Sequence, residues 1–209
     1  MRNTHDEPAD AALIAVAENA KSLLSDAELL YSNGRWARAA SLAVLAVEEV
    51  GKYFQQRHRS QDRPFLPRDH SNKQSATGRM LVAEAVYQRL TSVLASQGLE
   101  LKHPDDMSPN QAAFATTPAG RQFSESIFES PSLRNELAEA IRSASTEPFT
   151  AKALAGQLSN IKCLGMYVDL RNDGSVHCEP AHVTEELADQ ILDYAKSAVR
   201  LVDTYSSET

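Results

Sequence analysis

The chain runs to 209 residues, 42% hydrophobic, 23% charged and 6% aromatic, with a formal net charge of −7 at pH 7. Eight glycines and nine prolines are too few turn formers for a β-sandwich or barrel of this length, and no run of about 18 apolar residues offers a transmembrane helix. Acids interrupt the apolar residues of the first twenty positions, unlike a signal peptide. Cys163 and Cys178 make no disulfide framework. These exclusions leave a soluble, cytoplasmic, all-α protein, expected to form a single helical domain over 1–209.

In chain order, Leu13, Val16, Ala17, Ala20, Leu23, Leu24, Ala27, Leu30 and Tyr31 recur at three- and four-residue steps, which predicts a helix over 9–33. Asn33-Gly34 tolerates the left-handed turn that ends it. A second helix follows over 35–60, apolar between Ala39 and Val47 except at Ser41, and is therefore expected to be central. So short a turn makes the two helices an antiparallel hairpin. Pro64 and Pro67 stop the run. A third helix is predicted over about 69–97, with Met80, Leu81, Val86, Leu90, Val93 and Leu94 as its apolar side. Residues 98–130 lack a sustained period and read as an irregular insertion containing at most a short helix. Ser130-Pro131 starts a helix over 131–145. A further helix is expected at about 149–170, then a loop over 171–183, and a last helix opened by Thr184, Glu185 and Glu186. No period-two strand pattern competes. The expected architecture is an all-α bundle of four to five long helices.

Charge is uneven along the chain. Between Lys52 and Arg89 eight cations face three acids, a local +5, and the remainder sums to −12. The segment reads either as a solvated helix end or as a phosphate-contacting surface.

Three constellations carry chemistry. In Arg171-Asn172-Asp173-Gly174-Ser175-Val176-His177 a fixed cation lies close in sequence to an imidazole. Metal-free RNA cleavage uses these types, His for proton transfer and Arg to hold a phosphate. The same residues also read as a surface loop turning at Asp173-Gly174. Arg63, Arg68, His70 and Lys73 form a second set that suits phosphate, unless Asp69 simply caps the third helix and leaves His70 and Lys73 in solvent. In Glu48-Glu49-x2-Lys52, adjacent carboxylates point to different sides. Glu48 and Lys52 are spaced to pair on the helix surface, and a carboxylate left near the core needs a His or cation from elsewhere. Cys163, His177, Cys178 and His182 match no paired zinc-ligand spacing, and Cys163 reads as a buried helical residue. No metal site and no cofactor is expected.

Four blocks in order, AENAKSLLSDAELLYSNGRWARAASLAVLAVEEVGK (17–52), RDHSNK (68–73), CLGMYVDL (163–170) and the closing helix from Pro180, resemble the AbiV family of abortive-infection proteins, within the HEPN superfamily. The resemblance implies a HEPN-like helical bundle and a role in defence against phage. It also implies a metal-independent ribonuclease with an Arg-x4–6-His motif, working as a homodimer. On that basis Arg171, Asn172 and His177 are the expected catalytic residues. Glu48, Glu49 and Lys52 are expected to support them, and Arg63, Arg68, His70 and Lys73 to contact substrate. His70 with Arg63 or Arg68 is the rival placement of the catalytic pair. The implied partners are RNA and a phage-encoded activator protein, with no membrane. The alternative is a non-catalytic helical module that sequesters RNA or a phage protein; an antitoxin-like or scaffold role is a third reading.

Overall fold

The apolar face of the first predicted helix meets that of the second. In the computed structural model, which describes residues 7–58, 69–100, 117–170, 173 and 175–206, α1 (Glu7–Ser32) and α2 (Trp36–Arg57) form the expected hairpin. The Gly34 N–H donates to the Tyr31 carbonyl at 2.9 Å to close the turn. The chain continues through α3 (His70–Ser96), α4 (Pro118–Glu129), α5 (Pro131–Thr146), α6 (Pro148–Leu154) and α7 (Leu158–Met166). A two-residue strand β1 (Asp169–Leu170), a strand β2 (Val176–Cys178) and a 3-10 turn (Pro180–His182) lead into α8 (Glu185–Ser206). The protein is all-α apart from this small ribbon. Among the described residues no helix is long and apolar enough to cross a membrane.

The chain divides into two compact units, residues 1–81 with 147–209, and residues 82–146. In the first, α2 is the central element that its composition predicts. Ala39, Ala40, Ala43, Val44, Ala46, Val47 and Val50 are fully buried. They are enclosed by α1, α7 and α8, with Leu158, Ile191, Leu192, Ala195, Ala198 and Val202 in the same core. Burial of each Val, Leu or Ile here contributes roughly 1.5–3 kcal/mol. The apolar surface of α2 is thus covered within the chain and does not by itself call for a second subunit. In the second unit, α4 occupies part of the predicted irregular insertion, Arg89 and Glu136 form an ion pair between α3 and α5, and Leu94 and Leu133 are buried.

Two expectations change. The predicted helix over 149–170 is broken into α6 and α7. Gly156 sits between them at φ +69°, a left-handed conformation that ends α6, and a Cβ there would lie 1.8 Å from the Ser71 hydroxyl. The predicted loop after residue 170 is a hairpin. Asp169 pairs with Cys178 and Leu170 with Val176, so a β-bulge leaves His177 as the extra residue.

The crossing that matters most for function is between α2 and α3. A Cβ on Gly51 would lie 1.8 Å from the Lys73 carbonyl oxygen, so only glycine lets the two backbones come this close. Thr77 fastens the same crossing by donating its hydroxyl to the Val47 carbonyl at 2.8 Å. Gly51→Ala is expected to force the helices apart, lower stability by about 2 kcal/mol in urea unfolding, and shift the His70 resonances in NMR spectra.

Candidate functional site

One helical turn before Gly51, Glu48 is 1% exposed. A carboxylate removed from water must gather donors, and three side chains on two helices supply them. From α3, His70 Nδ1 lies 2.6 Å from Glu48 Oε2, and Gln74 Nε2 donates to Oε1 at 2.8 Å. From α7, Lys162 Nζ donates to both carboxylate oxygens, at 3.0 and 3.3 Å. The same ammonium is 3.2 Å from His70 Nδ1.

Gln74 ties these elements together. It is fully buried, donates through Nε2 to Ser159 Oγ at 2.8 Å as well, and accepts through Oε1 from the Leu158 N–H at 3.0 Å, at the start of α7. Ser41 Oγ, 3.0 Å from the Lys162 carbonyl oxygen, and Gly165, whose Cβ would strike the Ala37 carbonyl oxygen at 2.1 Å, hold α7 against α2. Lys162 is thereby fixed at 15% side-chain exposure. Burial pushes the Glu48 pKa up. Hydrogen bonds from Lys162, Gln74 and His70, with the charge of Lys162, outweigh burial and hold the carboxyl below its ordinary value.

The chemistry of the imidazole follows. An ionised carboxylate only accepts, so Nδ1 of His70 donates to Glu48 and the neutral ring keeps its acceptor lone pair on Nε2. The His70 side chain is 52% exposed. A buried carboxylate therefore orients a half-exposed imidazole through Nδ1, with a lysine ammonium alongside. That arrangement can move a proton at Nε2 and stabilise negative charge next to it.

Other expected residues divide around this cluster. Glu48 and Lys52 do not pair: Lys52 instead bonds Glu49 at 2.6 Å, because Glu48 is turned into the core. Asp69 caps α3, accepting from the Asn72 N–H at 3.0 Å, but Lys73 does not sit in solvent. It is 5% exposed, and burial, partly offset by Glu48 and Glu49, lowers its pKa. Arg63, Arg68, Arg171 and Asn172 lie outside the described residues, and so does the side chain of His177, whose backbone belongs to β2. Asp173 accepts from the Ser175 N–H at 2.9 Å and from its hydroxyl at 2.6 Å, and these bonds lower its pKa. Cys163 is exposed rather than buried, and His182 accepts the Glu179 N–H at its Nδ1, at 3.2 Å. Among the described residues no group of metal-ligating side chains assembles.

Sequence reasoning missed Lys162, Gln74 and Ser159. The signal for Lys162 was a single cation in the apolar stretch Ile161–Leu164, which asks for a buried anion.

A family model described as HEPN_AbiV, AbiV, matches residues 9–200. Neither a curated protein nor a solved structure matches the chain.

Because the Glu48 pKa is depressed on folding, its stabilisation is complete above the ordinary value of 4.5 and is lost as pH falls through the lower folded-state value. Glu48→Ala is expected to remove about 3 kcal/mol of unfolding free energy at neutral pH, since it strands the Lys162 charge. The difference between wild type and variant should narrow below pH 4.5, as read by urea unfolding across pH.

Proposed function

The chain belongs to the AbiV family of HEPN abortive-infection proteins, and we propose that it acts as a metal-independent ribonuclease that arrests translation or growth of infected cells. The observation that supports this reading is the 2.6 Å contact of half-exposed His70 with buried Glu48, beside Lys162. Cleavage through the 2′-hydroxyl needs a base for that proton, charge stabilisation at the phosphorus, and a proton returned to the departing 5′-oxygen. Nε2 of His70 is the base, Glu48 stabilises the imidazolium that forms, and that imidazolium returns the proton to the departing 5′-oxygen. Lys162 offsets charge on the phosphate, within a positive potential to which Lys73 and Lys52 contribute. Arg63 and Arg68 precede His70 in the chain and add cations for the substrate.

A second reading assigns the reaction to the family motif, with His177 as acid or base, Arg171 on the phosphate and Asn172 orienting them. The hairpin favours it: Leu170 and Val176 are register partners, so the chain folds back within the motif, and His177 takes the extra position of the bulge. Bulges of this kind often aim a side chain beside an active site. Exposed Met166, Tyr167 and Val168 precede the motif and exposed Val176 lies within it, and they support a homodimer in which the ribbons of two copies meet.

Single-stranded RNA incubated with purified protein in EDTA tests both readings. Cleavage is expected in wild type, and His70→Ala is expected to slow it about a hundredfold or more with helical content unchanged. Loss in His177→Ala and Arg171→Ala, with His70→Ala unaffected, moves the reaction to the hairpin. Full-rate cleavage by every variant overturns both assignments, and absence of cleavage together with retained phage protection favours sequestration. In sedimentation the wild type is expected to run as a dimer at micromolar concentration, and Tyr167→Glu as a monomer.

A further inference from the structure

At the start of α2, twelve residues and roughly 18 Å from Glu48 at the helical rise, a cavity of about 550 Å³ opens among Trp36, Arg35, Arg38, Pro180, Val183 and Glu185. Its volume lies within the ~300–1,000 Å³ usual for small-molecule sites. Three features point to one kind of ligand. Trp36 is a third exposed, at 36%, and lines the cavity beside the apolar Pro180 and Val183.

Arg35 and Arg38 are both exposed. Neither guanidinium has a hydrogen-bond or ion-pair partner among the described residues. The start of α2 lies at the same wall. No side chain caps it and no acid occupies its first turn, so its N–H groups and dipole add to the positive potential. The start of α8 differs: Thr184 accepts from the Leu187 N–H at 3.2 Å, and Glu185 there gives the cavity one carboxylate acceptor.

We infer that this cavity binds a nucleotide, with the base stacked on Trp36, the phosphate on Arg35, Arg38 and the first turn of α2, and a ribose hydroxyl or exocyclic amine donating to Glu185. An aromatic face with paired guanidinium groups suits any base, since every base has a π-face, and the arginines suit a phosphate. The nucleotide is either free or one unit of an RNA strand. The RNA form rests on the ribonuclease reading, and it then supplies a subsite remote from His70. The cavity adjoins the His177 hairpin in sequence, since Pro180 follows β2 by two residues.

Trp36 is the only tryptophan, so its fluorescence reports this cavity alone. The full-length protein is titrated with AMP, with inorganic phosphate, and with a short 2′-O-methyl RNA that cannot be cleaved, so that binding is read apart from catalysis. Saturable quenching by AMP supports a free-nucleotide site; quenching by the RNA alone supports a subsite. Arg35→Gln/Arg38→Gln is expected to weaken either about tenfold, and Trp36→Ala to weaken binding of labelled RNA or AMP to a similar extent while Trp36→Phe retains it. Quenching by neither nucleotide probe, or inorganic phosphate binding as tightly as AMP, overturns the inference. Loss of RNA cleavage in His70→Ala or His177→Ala with quenching intact bears on the catalytic reading only.

Discussion

A carboxylate buried in the central helix α2 governs this architecture. Glu48 has almost no water contact, so its charge must be answered from within the protein. The answer recruits α3 through His70 and Gln74, and α7 through Lys162. Small residues make the recruitment sterically feasible: Gly51 admits the α3 backbone on one side of Glu48, and Gly165 admits α7 against Ala37 on the other. Bonding geometry then reaches outward, from a fixed carboxylate to a fixed imidazole at the surface. The stabilising network and the candidate reactive group share the same atoms.

Part of this was legible in the amino-acid pattern. The three- and four-residue spacing of α1, the apolar run of α2 and the capping residues Asp69, Ser130 and Thr184 marked helices whose ends differ from expectation by a few residues. The need for one of Glu48 and Glu49 to face inward followed from their adjacency. The partner of Glu48 did not. Lys52 was at the right spacing along the helix, but burial of Glu48 left only Glu49 within its reach. Lys162 is 114 residues away in sequence, and long-range pairing leaves no local trace. The interruption at Gly156 was hidden because a single glycine among good helix formers costs only about 1 kcal/mol, and packing against Ser71 decided the matter. The hairpin was missed because strands of two and three residues are too short for an alternation to register.

The acidic net charge conceals two places where cations gather. One surrounds Glu48 and Glu49, where Lys52, Lys73, Lys162 and the half-exposed His70 gather. The other is the α2 start with Arg35 and Arg38. The second lies at the start of α2, whereas the first lies past its middle and draws His70 and Lys73 from α3 and Lys162 from α7.

The central claim is that ionised Glu48 fixes the His70 ring with Nδ1 protonated and Nε2 open. Nitrogen-15 NMR of the histidine rings measures this directly. The account predicts that neutral His70 is the Nδ1–H tautomer, and that Glu48→Gln shifts its ring nitrogens towards the values of a solvent-exposed histidine. A wild-type ring already in the Nε2–H tautomer, or unchanged by Glu48→Gln, would contradict it.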